Sequence, residues 1–369
     1  MNTDNTNSII IILIFGFLIL LSFLNISNPL KVNRKANLWF GIFLLLWSTF
    51  WLDEISFLIY GNEINNQLAV FIHFIQFLTP IVFFFSVVYF SNPNHKFKIT
   101  DLKFMILPII FLIFLLLKQI AKKDNIDLYQ AILTGLLLIQ AFFFTSLSYL
   151  RIRKHQKKIQ LFSSNTREIN LDWLEYIIFI VLLMSGVSVL YYILFNPLHL
   201  NVFINSAYLI VIFSIAYNSL KQKEIFPWNE KQRNEIILID ENSLDMKRKI
   251  VSDEELIPLK SRINQIMQQE KPYLDCDLNL VKLSEMLNIT PHQLSYVINS
   301  GFNENFFQYI NKFRVEKAKE LLAKNDMNNL TIVGIAFESG FNSKTSFNTT
   351  FKKITEQTPS EYKKSCSNL

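Results

Sequence analysis

The chain has 369 residues, of which 51% are apolar and 18% charged, with 35 Phe, a formal net charge of +6 and a mean hydropathy of +0.26. That is too apolar for a wholly soluble protein of this length. The two cysteines, Cys276 and Cys366, lack the spacing of a disulfide scaffold or a structural zinc site, and no GxGxxG or GxxxxGK[ST] stretch offers a nucleotide-binding loop.

The apolar excess lies in residues 1–220, and residues 221–369 have the composition of cytosolic protein. A bilayer-spanning helix needs about 20 apolar residues. Seven such windows occur, at residues 8–24, 36–60, 68–90, 104–120, 128–150, 173–195 and 200–220. The first differs from a secretory signal, because MNTDNTNS carries no positive charge and no small-residue cleavage site follows Leu24. Alternate loops hold 12 against 3 basic residues, the richer side including Arg34, Lys98, Arg151, Lys157 and Arg167. The positive-inside rule therefore predicts a multi-pass protein of the cytoplasmic (inner) membrane, N-terminus outside and C-terminal half in the cytoplasm.

Ionisable groups inside a span are costly and need a reason. Asp53 and Glu54 fall in the second window and His73 and Gln76 in the third, joined by the short loop GNEINNQ. Two readings stand side by side: a small polar pocket sensing a ligand or proton from the outer side, or an acid and an imidazole satisfying each other between helices. No HExxH, Ser-centred elbow or run of intramembrane acids marks an enzyme or pump, and no metal site or cofactor is expected. The paired, broken helices of a transporter are likewise missing.

Residues 221–263 read as a juxtamembrane linker, with Phe226 and Trp228 placed to anchor the exit at headgroup level. From Glu254 to Gln269 the spacing of Leu256, Leu259, Ile263, Ile266 and Met267 is helical. This is either a signalling helix or the support of the next domain, and it is too short for a coiled-coil stalk.

Residues 264–367 form a separate all-α domain by pattern. Leu280, Leu283 and Leu287 share one helix face, and Asn288-Ile289-Thr290 is a turn. A second helix opens with Thr290 as N-cap, Pro291 at the first position and Gln293 closing a capping box. Support helix, three-residue turn and capped helix make a helix-turn-helix. At an offset of 52 the pattern recurs: Leu283-Ser284, Ile289 and Thr290 become Ile335-Ala336, Phe341 and Asn342. Thr331–Ser339 is then a second support helix, Gly340-Phe341-Asn342 its turn, and Ser343–Lys353 its recognition helix. Residues 305–324 supply a long joining helix, and Thr358-Pro359-Ser360-Glu361 caps a closing one.

These landmarks resemble the AraC/XylS transcription regulators. The run Asn305-Phe306-Phe307-Gln308-Tyr309-Ile310-Asn311-Lys312-Phe313-Arg314, with Ala318 and Leu321-Leu322, is similar to that family's linker helix. Ile335-Ala336, Gly340-Phe341, Phe347, Phe351-Lys352-Lys353, Thr358-Pro359 and Tyr362 are similar to its second helix-turn-helix and end. The likeness covers residues 265–367. It departs where Tyr296 and Thr349 stand in place of frequent arginines and Glu356 in place of a common glycine.

The resemblance implies two recognition helices set in successive major-groove segments of double-stranded DNA. Residue chemistry nominates His292, Gln293, Tyr296 and Asn299 in the first, and Lys344, Thr345, Asn348 and Thr349 in the second. Lys352 and Lys353 suit phosphate. Charge alone would not find this, since residues 271–369 carry a net charge of only +2.

The expected protein is all-α: a seven-helix membrane bundle coupled to a cytoplasmic transcription regulator, with DNA, the lipid bilayer, RNA polymerase and an unidentified signal ligand as partners. Whether it forms a homodimer is open from sequence. The competing reading is a membrane transporter or receptor whose tail is a protein-interaction module. Signal transfer could run through the 254–269 helix or through proteolytic release of the reader.

Overall fold

The computed structural model of the protein describes residues 3–62, 64–194, 201–226, 233–234, 236, 251–323 and 331–367. Among them every regular element is a helix, and one isolated antiparallel bridge joins Ser163 and Asn279. The chain divides into two compact units, the first made of residues 1–154 and 171–225, the second of residues 155–170 and 226–369. The split differs from a simple cut near residue 220, because the loop at 155–170 belongs with the C-terminal unit.

The first unit contains α1 (Thr3–Ser27), α2 (Arg34–Ser48), α3 (Leu52–Tyr60), α4 (Asn66–Ser91), α5 (Ile106–Ile120), α6 (Ile126–Ile159), which runs on into the second unit, α7 (Asp172–Leu194) and α8 (Asn201–Lys221). Among the described residues six stretches are long and apolar enough to cross a membrane: Asn5–Ser27, Arg34–Tyr60, Asn66–Ser91, Ile99–Ile120, Ile126–Ile159 and Val202–Lys221. The sequence counted seven. The additional one corresponds to α7, a helix of 23 residues whose predicted end at 195 lies outside the described residues. α2 and α3 divide the second predicted span at a tight turn, Thr49–Trp51.

Helices without water must satisfy polar groups internally. Ser86 and Ser91 donate to the Phe83 and Val88 carbonyls of their own helix, at 2.7 and 2.9 Å. Ser22 donates to the Gly41 carbonyl at 2.8 Å, tying α1 to α2. The approach there needs glycine, since a Cβ on Gly41 would sit 2.9 Å from the Ser22 carbonyl oxygen. Aromatic rings fill the space between α2 and α4: Trp39 stacks on Tyr89 and Phe43 meets Phe83 at 4.9 Å.

The second unit contains α9 (Asp253–Gln269), α10 (Leu280–Met286), α11 (Pro291–Tyr296), α12 (Phe306–Ala323), α13 (Ile332–Glu338), α14 (Lys344–Thr355) and α15 (Pro359–Ser367). Ile263 and Met267 of α9 are fully buried, and the Tyr309 hydroxyl donates to Asn264 Oδ1 at 3.1 Å. Of the two sequence readings of this helix, the packing favours a support of the reader. About half of the predicted linker, including Trp228, lies outside the described residues. Phe226 is buried in this unit against Phe162, 5.7 Å between ring centres, and is therefore no headgroup anchor.

α12 is more than a spacer. Its Val315, Ala318, Leu321 and Leu322 form one core with Ile335, Ala336, Phe341, Phe347 and Phe351, and Tyr362 of α15 packs against it. Burying each such side chain stabilises by about 1.5–3 kcal/mol, so the joining helix and the second motif fold as one body.

Candidate nucleic-acid interface

The duplication seen in the sequence is a duplication of backbone geometry. α10 and α13 begin and end 52 positions apart. Asn279 and Thr331 cap them by accepting from the N–H groups of Lys282 and Gly334. The turns repeat as well: Ile289 N–H donates to the Ser284 carbonyl at 3.1 Å and Phe341 N–H to the Ala336 carbonyl at 3.0 Å. Asn288 and Gly340 both take the left-handed conformation, at φ 49° and 86°. The start of the second recognition helix departs, because its N-cap is Ser343, one position later than the Thr290–Asn342 equivalence predicts.

Both recognition helices expose a polar face over an apolar one. In α14 Lys344, Thr345, Thr349, Lys352 and Lys353 are exposed while Phe347 and Phe351 are fully buried, so the phenylalanines are core and no stacking platform. Asn348 is half-buried with its Oδ1 enclosed, so it is less open than the residues of the exposed row. In α11 His292 and Tyr296 are half-exposed, and the helix runs on into a π turn, Val297–Gly301, that carries exposed Asn299. Asn299 Nδ2 donates to Ser295 Oγ at 3.3 Å.

Gln293 closes the expected capping box, with its Oε1 accepting from the Thr290 N–H at 3.0 Å. Because that oxygen holds the cap, Gln293 cannot also grip an adenine edge with both amide atoms, and it is better regarded as a cap.

Glu356 ends α14 in the left-handed region at φ 63°. A side chain there is strained and glycine is not. Glu356→Gly is expected to raise stability by about 0.5–1 kcal/mol, measurable by denaturant unfolding monitored at the C-terminal unit.

Arg314 belongs to the run that resembles the linker helix, and among the described residues it is the largest fully buried side chain, 1% exposed. Its Nε donates to the Tyr273 carbonyl at 2.7 Å and Nη2 to the Asp275 carbonyl at 2.8 Å. The guanidinium lies 5.9 Å from the Phe341 ring centre. Burial pulls its pKa down to about 10, so it stays cationic at neutral pH. It therefore links the segment before α10 to the turn of the second motif.

In the first unit, Asp53 and Glu54 are exposed on α3 and His73 is exposed on α4. Among the described residues no hydrogen bond or ion pair joins the acids to His73. Gln76 stands apart, its Nε2 donating to the Thr49 carbonyl at 3.0 Å. It lines a cavity of about 880 Å³ with Trp47, Trp51, Phe83, Asn205 and Tyr208, to which the other three nominated groups do not contribute. Among the described residues no cluster of His, Cys, Asp or Glu could hold a metal ion.

A helix-turn-helix domain family matches residues 283–365. Curated relatives include HTH-type transcriptional regulators, uncharacterized in function, from Staphylococcus aureus strains COL, MSSA476 and N315. Each is 34% identical over 102 residues, which is 28% of this chain and 13% of the relative. The matched part thus spans about an eighth of the length of those relatives. No solved structure matches the chain. The C-terminal unit carries a helix-turn-helix domain of the kind found in transcription regulators.

Proposed function

We propose that the chain is a membrane-bound, sequence-specific DNA-binding transcription regulator that couples a membrane or extracytoplasmic signal to transcription without an intervening kinase. The observation that carries this is the pair of capped helix-turn-helix motifs, their support helices 52 positions apart and their recognition helices exposing polar faces, in the same chain as six helices, among the described residues, apolar enough to span a bilayer. The seventh span, the N-out topology and a cytoplasmic reader follow from the loop charges. His292, Tyr296, Asn299, Lys344, Thr345 and Thr349 are the base-reading residues in this proposal, with Lys352 and Lys353 on phosphate. RNA polymerase is the partner through which bound DNA would be read out. The aromatic cavity beside Gln76 is a better place for a signal molecule than the exposed acids, since pockets of about 300–1,000 Å³ with few polar groups are the rule for small ligands.

Mapping the DNA crosslinked to the tagged full-length chain in its host cells tests the proposal. Discrete sites sharing a motif are expected, and uniform background would overturn it. At such a site, Lys344→Ala is expected to relax preference at one base position, costing about 1–3 kcal/mol there. Lys352→Ala should instead weaken all sequences alike and lower the salt slope by about one. Equal losses on every sequence for both variants would refute that division of roles.

A further inference from the structure

The loop between α6 and α7 is built into the helix-turn-helix unit. Its residues 159–165 supply what two helix N-termini lack. The first N–H groups of a helix have no partner inside it. Here Leu280 N–H, opening α10, donates to the Phe162 carbonyl at 2.8 Å, and Phe307 N–H, in the first turn of α12, donates to the Gln160 carbonyl at 3.0 Å. Ser163 pairs antiparallel with Asn279, and the N–H and hydroxyl of Ser164 both donate to the Leu278 carbonyl. Phe162 and Ser164 are buried, at 4% and 2% exposure.

The same loop completes Arg314. Nη1 donates to the Ser164 carbonyl at 3.2 Å and Nη2 to Ser164 Oγ at 3.0 Å, while Asn311 Nδ2 donates to the same carbonyl at 3.1 Å. Among the described residues Arg314 is paired with no carboxylate. The oxygens that accept its hydrogen bonds are all neutral, two of them on Ser164. Taking Ser164 away strands buried donors, which favours a loop that is either fully seated or fully out. Among the described residues no such clasp holds the second motif. The Ile332 N–H, equivalent to that of Leu280, receives no backbone partner from outside its helix among the described residues.

We propose that the groove formed by Leu278–Leu280, Phe307, Asn311 and Arg314 is a docking site for the chain's own α6–α7 loop, and that seating of this loop sets DNA reading. Ser164 and Phe341 both approach the Arg314 guanidinium, the hydroxyl at 3.0 Å and the ring centre at 5.9 Å. A seated loop holds the first motif, the joining helix and the turn of the second motif in one relation, which reading two successive groove segments requires. A displaced loop leaves Arg314 held only by the Tyr273 and Asp275 carbonyls and Asn311 Oδ1, and loosens the relation between the two motifs. Because the loop is the direct continuation of an apolar helix, a rotation or shift of α6 bears on it without any cut in the chain. The inference rests on the DNA-binding proposal above.

The experiment uses the full chain in lipid nanodiscs with a DNA site recovered by mapping. Ser163→Cys with Asn279→Cys, in a chain whose Cys276 and Cys366 are replaced by serine, places a disulfide across the antiparallel bridge. Oxidation is expected to tighten DNA binding, and reduction to return it to the parent value. Phe162→Ala with Ser164→Gly, which loosens the loop, is expected to weaken binding roughly tenfold with protein level and membrane insertion unchanged. If that variant fails to accumulate, the reversible cross-link still decides. Wild-type protection that neither oxidation nor loosening alters would overturn the docking inference and leave the DNA-binding proposal standing. No protection by wild type at any salt concentration would overturn both.

Discussion

Arg314→Leu is expected to cost the C-terminal unit about 3 kcal/mol, a large share of the 5–15 kcal/mol that holds a domain folded. The leucine fills much of the space but donates nothing. The Tyr273 carbonyl then loses the 2.7 Å bond from Nε, and the Ser164 and Asp275 carbonyls each keep one other donor, Asn311 Nδ2 and the Leu278 N–H. Relief from burying a cation offsets part of that loss. Arg314→Lys should fall between, since an ammonium keeps the charge but cannot fork between Ser164 and Asp275. Pulse proteolysis of the full chain in detergent, scored on the C-terminal unit, measures both. A leucine variant within about 0.5 kcal/mol of wild type would show that the network is incidental.

Gly340→Ala is expected to be at least as damaging, about 3 kcal/mol, for two separable reasons. At φ 86° an L side chain is strained by about 1–2 kcal/mol. In addition, a Cβ there would sit 2.3 Å from the Tyr273 carbonyl oxygen and 2.9 Å from Leu274 Cα, both backbone atoms that cannot swing away. The turn of the second motif is thus seated on the segment whose carbonyl Arg314 grips. Substitutions at Gly340 and Arg314 should therefore combine non-additively. Additive losses in the double variant would separate the two contacts. Loss of DNA binding should follow in both single variants, whereas Glu356→Gly, which relieves strain at the end of α14, should leave it intact.

Much of this was legible in the chain. Local rules decided the caps: Thr290 with Gln293 and Thr358 with Glu361 close reciprocal boxes as their spacing requires. Gly340 was readable as a left-handed helix end, and the 52-residue offset was readable as a repeated motif. Loop charge and window length likewise separated an apolar half from a polar one. The partners of a side chain were less legible. Gln293 looks like a base-reading amide until its oxygen is seen holding the cap, and Asn348 until its Oδ1 is found enclosed. Asp53 and Glu54 looked apt to meet His73, and no bond joins them.

What the amino-acid sequence determined by itself is the class of each half: apolar helices of membrane-crossing length, and two helix-turn-helix motifs joined by a long helix. Periodicity, capping and turn chemistry act over a few residues and leave their mark in the order of residues. What only the tertiary structure decided is how that helix-turn-helix unit is completed. Gln160, Phe162 and Ser164 bind largely through backbone carbonyls, which every residue carries, so no side-chain pattern announces that residues 155–170 belong with residues 226–369. Arg314 likewise stands in the sequence only as the end of the run that resembles the linker helix, and its burial follows from carbonyls at positions 164, 273 and 275 that converge on it.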